Sequence, residues 1–329
     1  MFDYILIDCG GTKTALQICR VDLQIRKKTI KREPIVTLRN SDYSSFYDLL
    51  DVFFAARPLN QYSFQAVLVA GAGKISDGSI TLTNLDWNID RAKLQSRFFT
   101  SLSPDQIHLF NDLEAAAWFP LSKEIETYID TIHQVDGTSK NGHYLMLAVG
   151  TGFGTALGIY DPKTQSYIIC PGEGGHVSFS AASTRQQELL HYYRQMHPEQ
   201  EITFEYFLSG AGLSRLYQFQ TGGGIKKAED ISDGAAKGCA DCLATIDLFF
   251  EILAAAAKNL ALITIPTKGI YITGGIPVHL ANYLDKKTFA NRFTQSEKMN
   301  TLLTAIPVYL VKNHNAPIEG LVSFVNMNL

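Results

Sequence analysis

The chain has little of what would commit it to charge-driven or covalently braced chemistry. Its 329 residues carry 29 basic and 32 acidic side chains without a block of like charge, so nothing offers the cationic track that a nucleic-acid backbone needs. Nucleic acid is not an expected partner. The five cysteines, Cys9, Cys19, Cys170, Cys239 and Cys242, are an odd number and lack the paired clusters of a zinc site. Cys239 and Cys242 form a C-x-x-C within 234–262, read as one long helix whose three-residue spacing puts two small apolar side chains on one core face. Long hydrophobic runs are also lacking. The most apolar stretch, 248–265, is interrupted by Glu251, Lys258 and Asn259 and is too short to cross a bilayer. Neither a basic leader nor a small-residue cleavage site precedes the first strand, and the expectations are a cytoplasmic location and no membrane contact. Walker and Rossmann phosphate motifs are absent, as is H-E-x-x-H, which disfavours those nucleotide and zinc sites.

What is present is an alternation of strands, glycine turns and helices. A chain of this length exceeds what one core usually organises, so two domains are expected. Strand 4–8, the pair Gly10-Gly11 and strand 14–19 read as a β-hairpin. A strand over 35–38, an amphipathic helix over 44–56 and a buried strand over 64–70 make the first domain α/β. Strand 107–110 runs into a helix carrying Asp112, and the polar stretch 136–141 reads as a loop. A second hairpin follows: strand 144–149, the turn Gly150-Thr151-Gly152-Phe153-Gly154, and strand 155–160. Two glycine-turned hairpins suggest a duplicated core. A third pair, Gly274-Gly275, ends strand 269–273 and precedes a helix near 278–284. A strand over 307–311 and a closing helix over 317–325 complete the chain.

Three segments carry chemistry. F-N-D-L-E-A-A-A at 110–117 places an amide and a carboxylate where a strand opens onto a helix, which suits either a helix cap or an acid facing a ligand crevice. Gly10-Gly11-Thr12 and Gly150-Thr151-Gly152 are either tight hairpin turns with positive φ or nests that aim backbone N–H groups and hydroxyls at phosphate. P-G-E-G-G-H at 171–176 crowds Glu173 and His176 onto a glycine-freed backbone. With Glu205, this supplies acceptors for several sugar hydroxyls.

In order along nearly the whole chain, D-C-G-G-T-K at 8–13, L-T-N-L-D-W at 82–87, F-N-D-L-E-A at 110–115, G-T-G-F-G at 150–154, P-G-E-G-G-H at 171–176, F-E-Y-F-L-S-G at 204–210, Y-I-T-G-G-I at 271–276 and I-P-V-Y-L-V at 306–311 resemble the bacterial glucokinase family of the hexokinase, actin and Hsp70 superfamily. The resemblance implies an α/β, two-domain actin-like ATPase fold of the ribonuclease H-like kind with an interdomain cleft. It assigns 1–110 to a small domain with a C-terminal helix of about 312–329 packing back on it, and 111–311 to a large one. It also implies phosphorylation of glucose at its 6-hydroxyl by Mg-ATP, and a homodimer. Within it Asp112 matches the general base, and Asn84, Asn111, Glu173, His176 and Glu205 match the sugar-binding set. Asp8 matches the acid that holds Mg²⁺ through water. Gly10, Gly11, Thr12, Lys13, Thr151 and Gly152 match the phosphate loops, and Gly274 with Gly275 the adenosine contact. A kinase for another hexose, or a non-catalytic sugar-sensing regulator, is the alternative. The chain departs from the family at Gly71-Ala72-Gly73-Lys74, where proline is common before the T-N, and at 315–320, where a glycine-rich turn is replaced.

Overall fold

Residues 4–7 read Tyr-Ile-Leu-Ile, an unbroken apolar run of the kind that makes a strand covered on both faces. In the computed structural model, which describes residues 2–24, 27–137 and 141–329, they lie within β1 (Phe2–Cys9). Then come β2 (Lys13–Gln24), β3 (Lys27–Arg32), β4 (Val36–Arg39) and β5 (Phe64–Gly71). A small meander of β6 (Gly73–Ser76), β7 (Ser79–Leu82) and β8 (Asn88–Asp90) leads to β9 (Ile107–Asn111). The first sheet has the order β3-β2-β1-β5-β9, with β4 also paired to β2. β1 and β2 are antiparallel, whereas β1, β5 and β9 are parallel.

Alternation along β1 sends Ile5 and Ile7 to one face and Tyr4 and Leu6 to the other. Ile5 and Ile7 pack with Phe46, Leu49, Leu50 and Phe53 of the helix Phe46–Ala55. Tyr4 and Leu6 pack with Ile318, Leu321 and Val325 of the C-terminal helix Ala316–Asn328. Full burial of each such side chain is worth about 1.5–3 kcal/mol. Pro317 stands in the first turn of that last helix, where a missing N–H costs nothing. Arg32 grips its Glu319 through two hydrogen bonds of 2.6 and 2.8 Å. Gly320 permits a close backbone approach, since a Cβ there would lie 1.8 Å from the Ala115 carbonyl oxygen.

The second sheet comprises β10 (Ile129–His133), β11 (Tyr144–Val149), β12 (Phe153–Asp161), β13 (Ser166–Gly172), β14 (Gly269–Thr273) and β15 (Val308–Val311). Its order is β10-β15-β14-β11-β12-β13. The antiparallel meander β11-β12-β13 repeats β1-β2-β3, and β14 and β15 run parallel to β11 as β5 and β9 do to β1. The duplicated core suggested by the two hairpins is therefore present in the sheets themselves. Contacts divide the chain into Met1–Ile125 with Asn315–Leu329, and Glu126–His314. Residues 111–125 thus go with the first unit, because the helix Asp112–Ala116 packs on the C-terminal helix.

The helix expected over 234–262 is two helices, Ala228–Ala236 and Ala240–Thr264. Gly238 separates them with φ of +79°, a conformation that side chains disfavour. Cys239 is the N-cap of the second helix and only partly buried, while Cys242 is buried, and both pack on the same core as expected. Among the described residues no helix is long and apolar enough to cross a membrane. The loop expected over 136–141 falls in part on 138–140, outside the described residues.

Candidate functional site

The parallel register aligns Cys9 with Gly71 and Gly71 with Asn111. The carboxyl ends of β1, β5 and β9 therefore share one edge, the place where open α/β sheets keep ligands. Asn111 takes the capping role that the sequence left open between it and Asp112. Its side-chain oxygen accepts the Leu113 N–H at 3.0 Å, its Nδ2 donates to the Gly73 carbonyl at 3.1 Å, and Glu114 accepts the Asn111 N–H at 3.4 Å. This capping box frees Asp112 at the first helical position, where Oδ1 accepts the Leu113 N–H at 2.9 Å. Burial raises the Asp112 carboxyl above the usual carboxylate range, against the pull of the backbone N–H groups.

Asp8, one residue before the end of β1, is pushed up to about 7, by burial first and by the charge of Asp112 second, with Lys13 opposing. Two mutually repelling, poorly solvated carboxylates suit a cation held through oxygen and water, as Mg²⁺ is. Among the described residues no group of three or more His, Cys, Asp or Glu could hold a metal.

The β1–β2 turn is braced by a residue that sequence reasoning missed. Asn40 is 2% exposed and donates its Nδ2 to the Gly10 carbonyl at 2.8 Å. Its backbone N–H donates to the Thr12 carbonyl at 3.0 Å, and Thr14 Oγ1 donates to its side-chain oxygen at 2.8 Å. The Gly10 N–H closes the turn on the Lys13 carbonyl at 3.0 Å. Neither Gly10 nor Gly11 takes the left-handed φ expected of a hairpin glycine. Glycine serves close approach here: a Cβ on Gly11 would stand 3.3 Å from the Asn84 Cβ. Exposed Asn84, from the sugar-loop segment, thus lies against the first glycine turn, beside exposed Thr12 and Lys13.

In the second unit the β11–β12 turn is closed by the Gly150 N–H on the Gly152 carbonyl at 2.8 Å. Glu205, in the first turn of the helix Phe204–Phe207, accepts the Phe153 N–H at 2.8 Å, and a Cβ on Gly152 would come 2.5 Å from its Oε2. Thr151 is exposed at the tip. The 171–176 segment is pinned on β12 as well. Thr155 Oγ1 donates to the Gly172 carbonyl and accepts the Gly174 N–H, both at 3.0 Å, and a Cβ on Gly175 would meet the Phe153 carbonyl oxygen at 1.9 Å. These constraints bring His176 Nε2 to 3.8 Å from Glu173 and 3.9 Å from Glu205. The Glu173 side chain is 88% exposed and that of Glu205 32%, so one carboxylate is free to meet a ligand and the other is held. Gly274, with φ of +103°, lies against Val149 just before the turn, where a Cβ would be 2.2 Å from the Val149 carbonyl oxygen, and Gly275 opens the next helix.

Each unit therefore carries a glycine hairpin with acidic groups beside it. A sequence profile described as Glucokinase matches residues 5–328. The chain belongs to the glucokinase family. A glucokinase of Nostoc punctiforme is 30% identical over 345 residues, spanning 95% of this chain and 96% of its own. A crystal structure of a glucokinase from an Antarctic psychrotroph superposes with a TM-score of 0.86 at 26% identity, covering 99% of each chain. A ROK family glucokinase from Streptomyces griseus, crystallised with glucose and AMPPNP, shares the fold at a TM-score of 0.60 and 18% identity over 97% of each chain. The architecture is the actin-like ATPase fold of these kinases, and membership makes this chain a sugar-phosphorylating enzyme, a phosphotransferase.

The glucokinase segment that departs from the usual pattern is explained by packing. A Cβ on Gly73 would lie 2.0 Å from the Thr81 carbonyl oxygen, and one on Gly71 2.9 Å from Ile80 Cγ2. The turn from β5 into β6 therefore demands glycine at 73, while at 71 a Cβ would crowd the Ile80 side chain. The Ala72 N–H in turn donates to the Cys9 carbonyl at 3.1 Å, tying this loop to the end of β1.

Proposed function

We propose that this glucokinase-family enzyme transfers the terminal phosphoryl group of Mg-ATP to the 6-hydroxyl of glucose, giving glucose 6-phosphate and ADP. The observation that carries the reading is the division of labour at 111–112: Asn111 caps the helix, which leaves Asp112 as a carboxylate with a raised pKa and, among the described residues, no hydrogen-bond partner beyond backbone N–H. Such a group is tuned to accept a proton from an alcohol as the oxygen bonds to phosphorus. Asn84, Asn111, Glu173, His176 and Glu205 supply donors and acceptors for the remaining hydroxyls. The N–H groups and hydroxyls of Gly11, Thr12, Thr151 and Gly152, with Lys13, stabilise phosphate charge, Gly10 shapes the turn that presents them, and Gly274 and Gly275 admit the adenosine. Phosphoryl transfer asks mainly for alignment and charge neutralisation. Bound Mg²⁺ contributes that neutralisation, and Asp8 is the residue that holds it.

The direct test measures ADP release with Mg-ATP and a panel of glucose, mannose, glucosamine and fructose, for the wild type and Asp112→Asn. Glucose should give the highest kcat/KM, and the variant should bind sugar yet lose about 10²–10⁴ in kcat. Turnover of Asp112→Asn near the wild-type level would refute the assignment. A panel led by another hexose would keep the chemistry and reassign the substrate.

A further inference from the structure

Cys239 and Cys242 take no part in the proposed chemistry, yet their surroundings are built rather than incidental. Gly238 turns the chain so that Cys239 sits as N-cap at the start of the 25-residue helix Ala240–Thr264, and the Cys239 N–H is fixed on the Gly234 carbonyl at 3.0 Å. Cys242 lies one turn on, buried. Gly234 makes room for both: a Cβ there would come 2.5 Å from Cys242 Sγ and 3.7 Å from Cys239 Cβ. Cys239 makes no side-chain capping hydrogen bond, but Cys242 first, then the Asp241 N–H and the charge of Lys226, act on its thiol. They draw its pKa below that of an ordinary thiol, while burial pushes Cys242 up to about 11. One partly exposed sulfur favours the thiolate, and its buried neighbour stays a thiol. This is the asymmetry that separates an attacking from a resolving cysteine.

We propose that Cys239 and Cys242 form a reversible dithiol–disulfide pair, with Cys239 attacking and Cys242 resolving, oxidised by small-molecule disulfides. The Cys239 thiolate bonds to one sulfur of the disulfide RS–SR, the S–S bond breaks, and RS⁻ leaves with the electron pair. Cys242 then gives up its proton and attacks Cys239 Sγ, expelling the second RS⁻. The protein loses two electrons and two protons, and the disulfide becomes two thiols. The site is independent of the kinase reading.

The full-length protein is equilibrated in buffers of rising glutathione disulfide to glutathione ratio, quenched with acid and iodoacetamide, and mapped without reduction. The expected result is loss of two hydrogens from the peptide holding Cys239 and Cys242, reversed by excess thiol, while exposed Cys170 gives only the mixed adduct. Cys242→Ser should trap the adduct on Cys239, and Cys239→Ser should leave Cys242 unreacted. In the reduced wild type, Cys239 should alkylate several-fold faster than Cys170 at neutral pH. A dithiol that persists while Cys170 is consumed, or Cys239 alkylating more slowly than Cys170, overturns the proposal. Should Cys242→Ser fail to fold, the wild-type measurements decide alone.

Discussion

Asp8 illustrates how a residue proposed for function can oppose stability. Its folded pKa of about 7 lies above its ordinary value of 3.8, so folding favours the neutral acid. The stabilisation is complete below the ordinary value and is lost as pH rises through about 7, beyond which the carboxylate carries its full cost. Asp112 is shifted in the same direction by burial. Asp8→Asn and Asp112→Asn should each raise the Tm by a few degrees at mildly alkaline pH, with the gain fading on acidification. A calorimetric series across pH checks this, and an unchanged or lower Tm at alkaline pH would deny the burial argument. Activity should show the opposite sign if the proposed base and cation ligand act deprotonated: kcat/KM should decline as pH falls through about 7. Asp112 was legible as a candidate in the sequence because a carboxylate where a strand opens onto a helix suits a ligand crevice as well as a cap, and only the structure shows that Asn111 takes the cap. Asn40 was not, since an isolated asparagine outside any motif gives no sign that its amide will hold a turn thirty residues away.

At the scale of single elements, the glycine turns were visible but the reason for glycine was not. Gly73 and Gly175 are required because another backbone sits where a Cβ would be, and at Gly11, Gly71 and Gly152 a Cβ would crowd the side chains of Asn84, Ile80 and Glu205, facts of packing between distant segments. Gly175→Ala should therefore cost about 1–3 kcal/mol by overpacking and displace the 173–176 segment, raising the sugar KM more than the ATP KM. Asn40→Ala should have the converse signature. It leaves the Gly10 carbonyl without its side-chain donor and the Thr14 hydroxyl with Cys9 Sγ alone, at about 1–3 kcal/mol for an unsatisfied group, and loosens the first glycine turn, so the ATP KM should rise most. Steady-state kinetics with each substrate varied in turn separate the two. The helix over 234–262 was misread for a related reason: helical periodicity continues through Lys237-Gly238-Cys239, and only the backbone angle at Gly238 reveals the break.

Across the whole molecule, both tryptophans, Trp87 and Trp118, belong to the first unit, so fluorescence reports on it while circular dichroism averages both. Trp118 packs edge-on against Phe324 of the C-terminal helix at 5.1 Å. Removing 315–329 should shift the fluorescence midpoint in urea to markedly lower concentration, with part of the dichroism transition left in place. Coincident, equally shifted transitions would mean that the two units unfold as one.

The sheet face of Tyr4 and Leu6 is completed by Ile318, Leu321 and Val325, which lie far along the chain from the strands they cover. The unit of 126–314, by contrast, draws its whole core from one continuous stretch of sequence. Closing so wide a loop costs conformational entropy before its contacts repay it. On refolding from denaturant, the layer over Tyr4 and Leu6 should therefore form after the core of 126–314, and the exposed face is the surface through which a half-folded chain would aggregate.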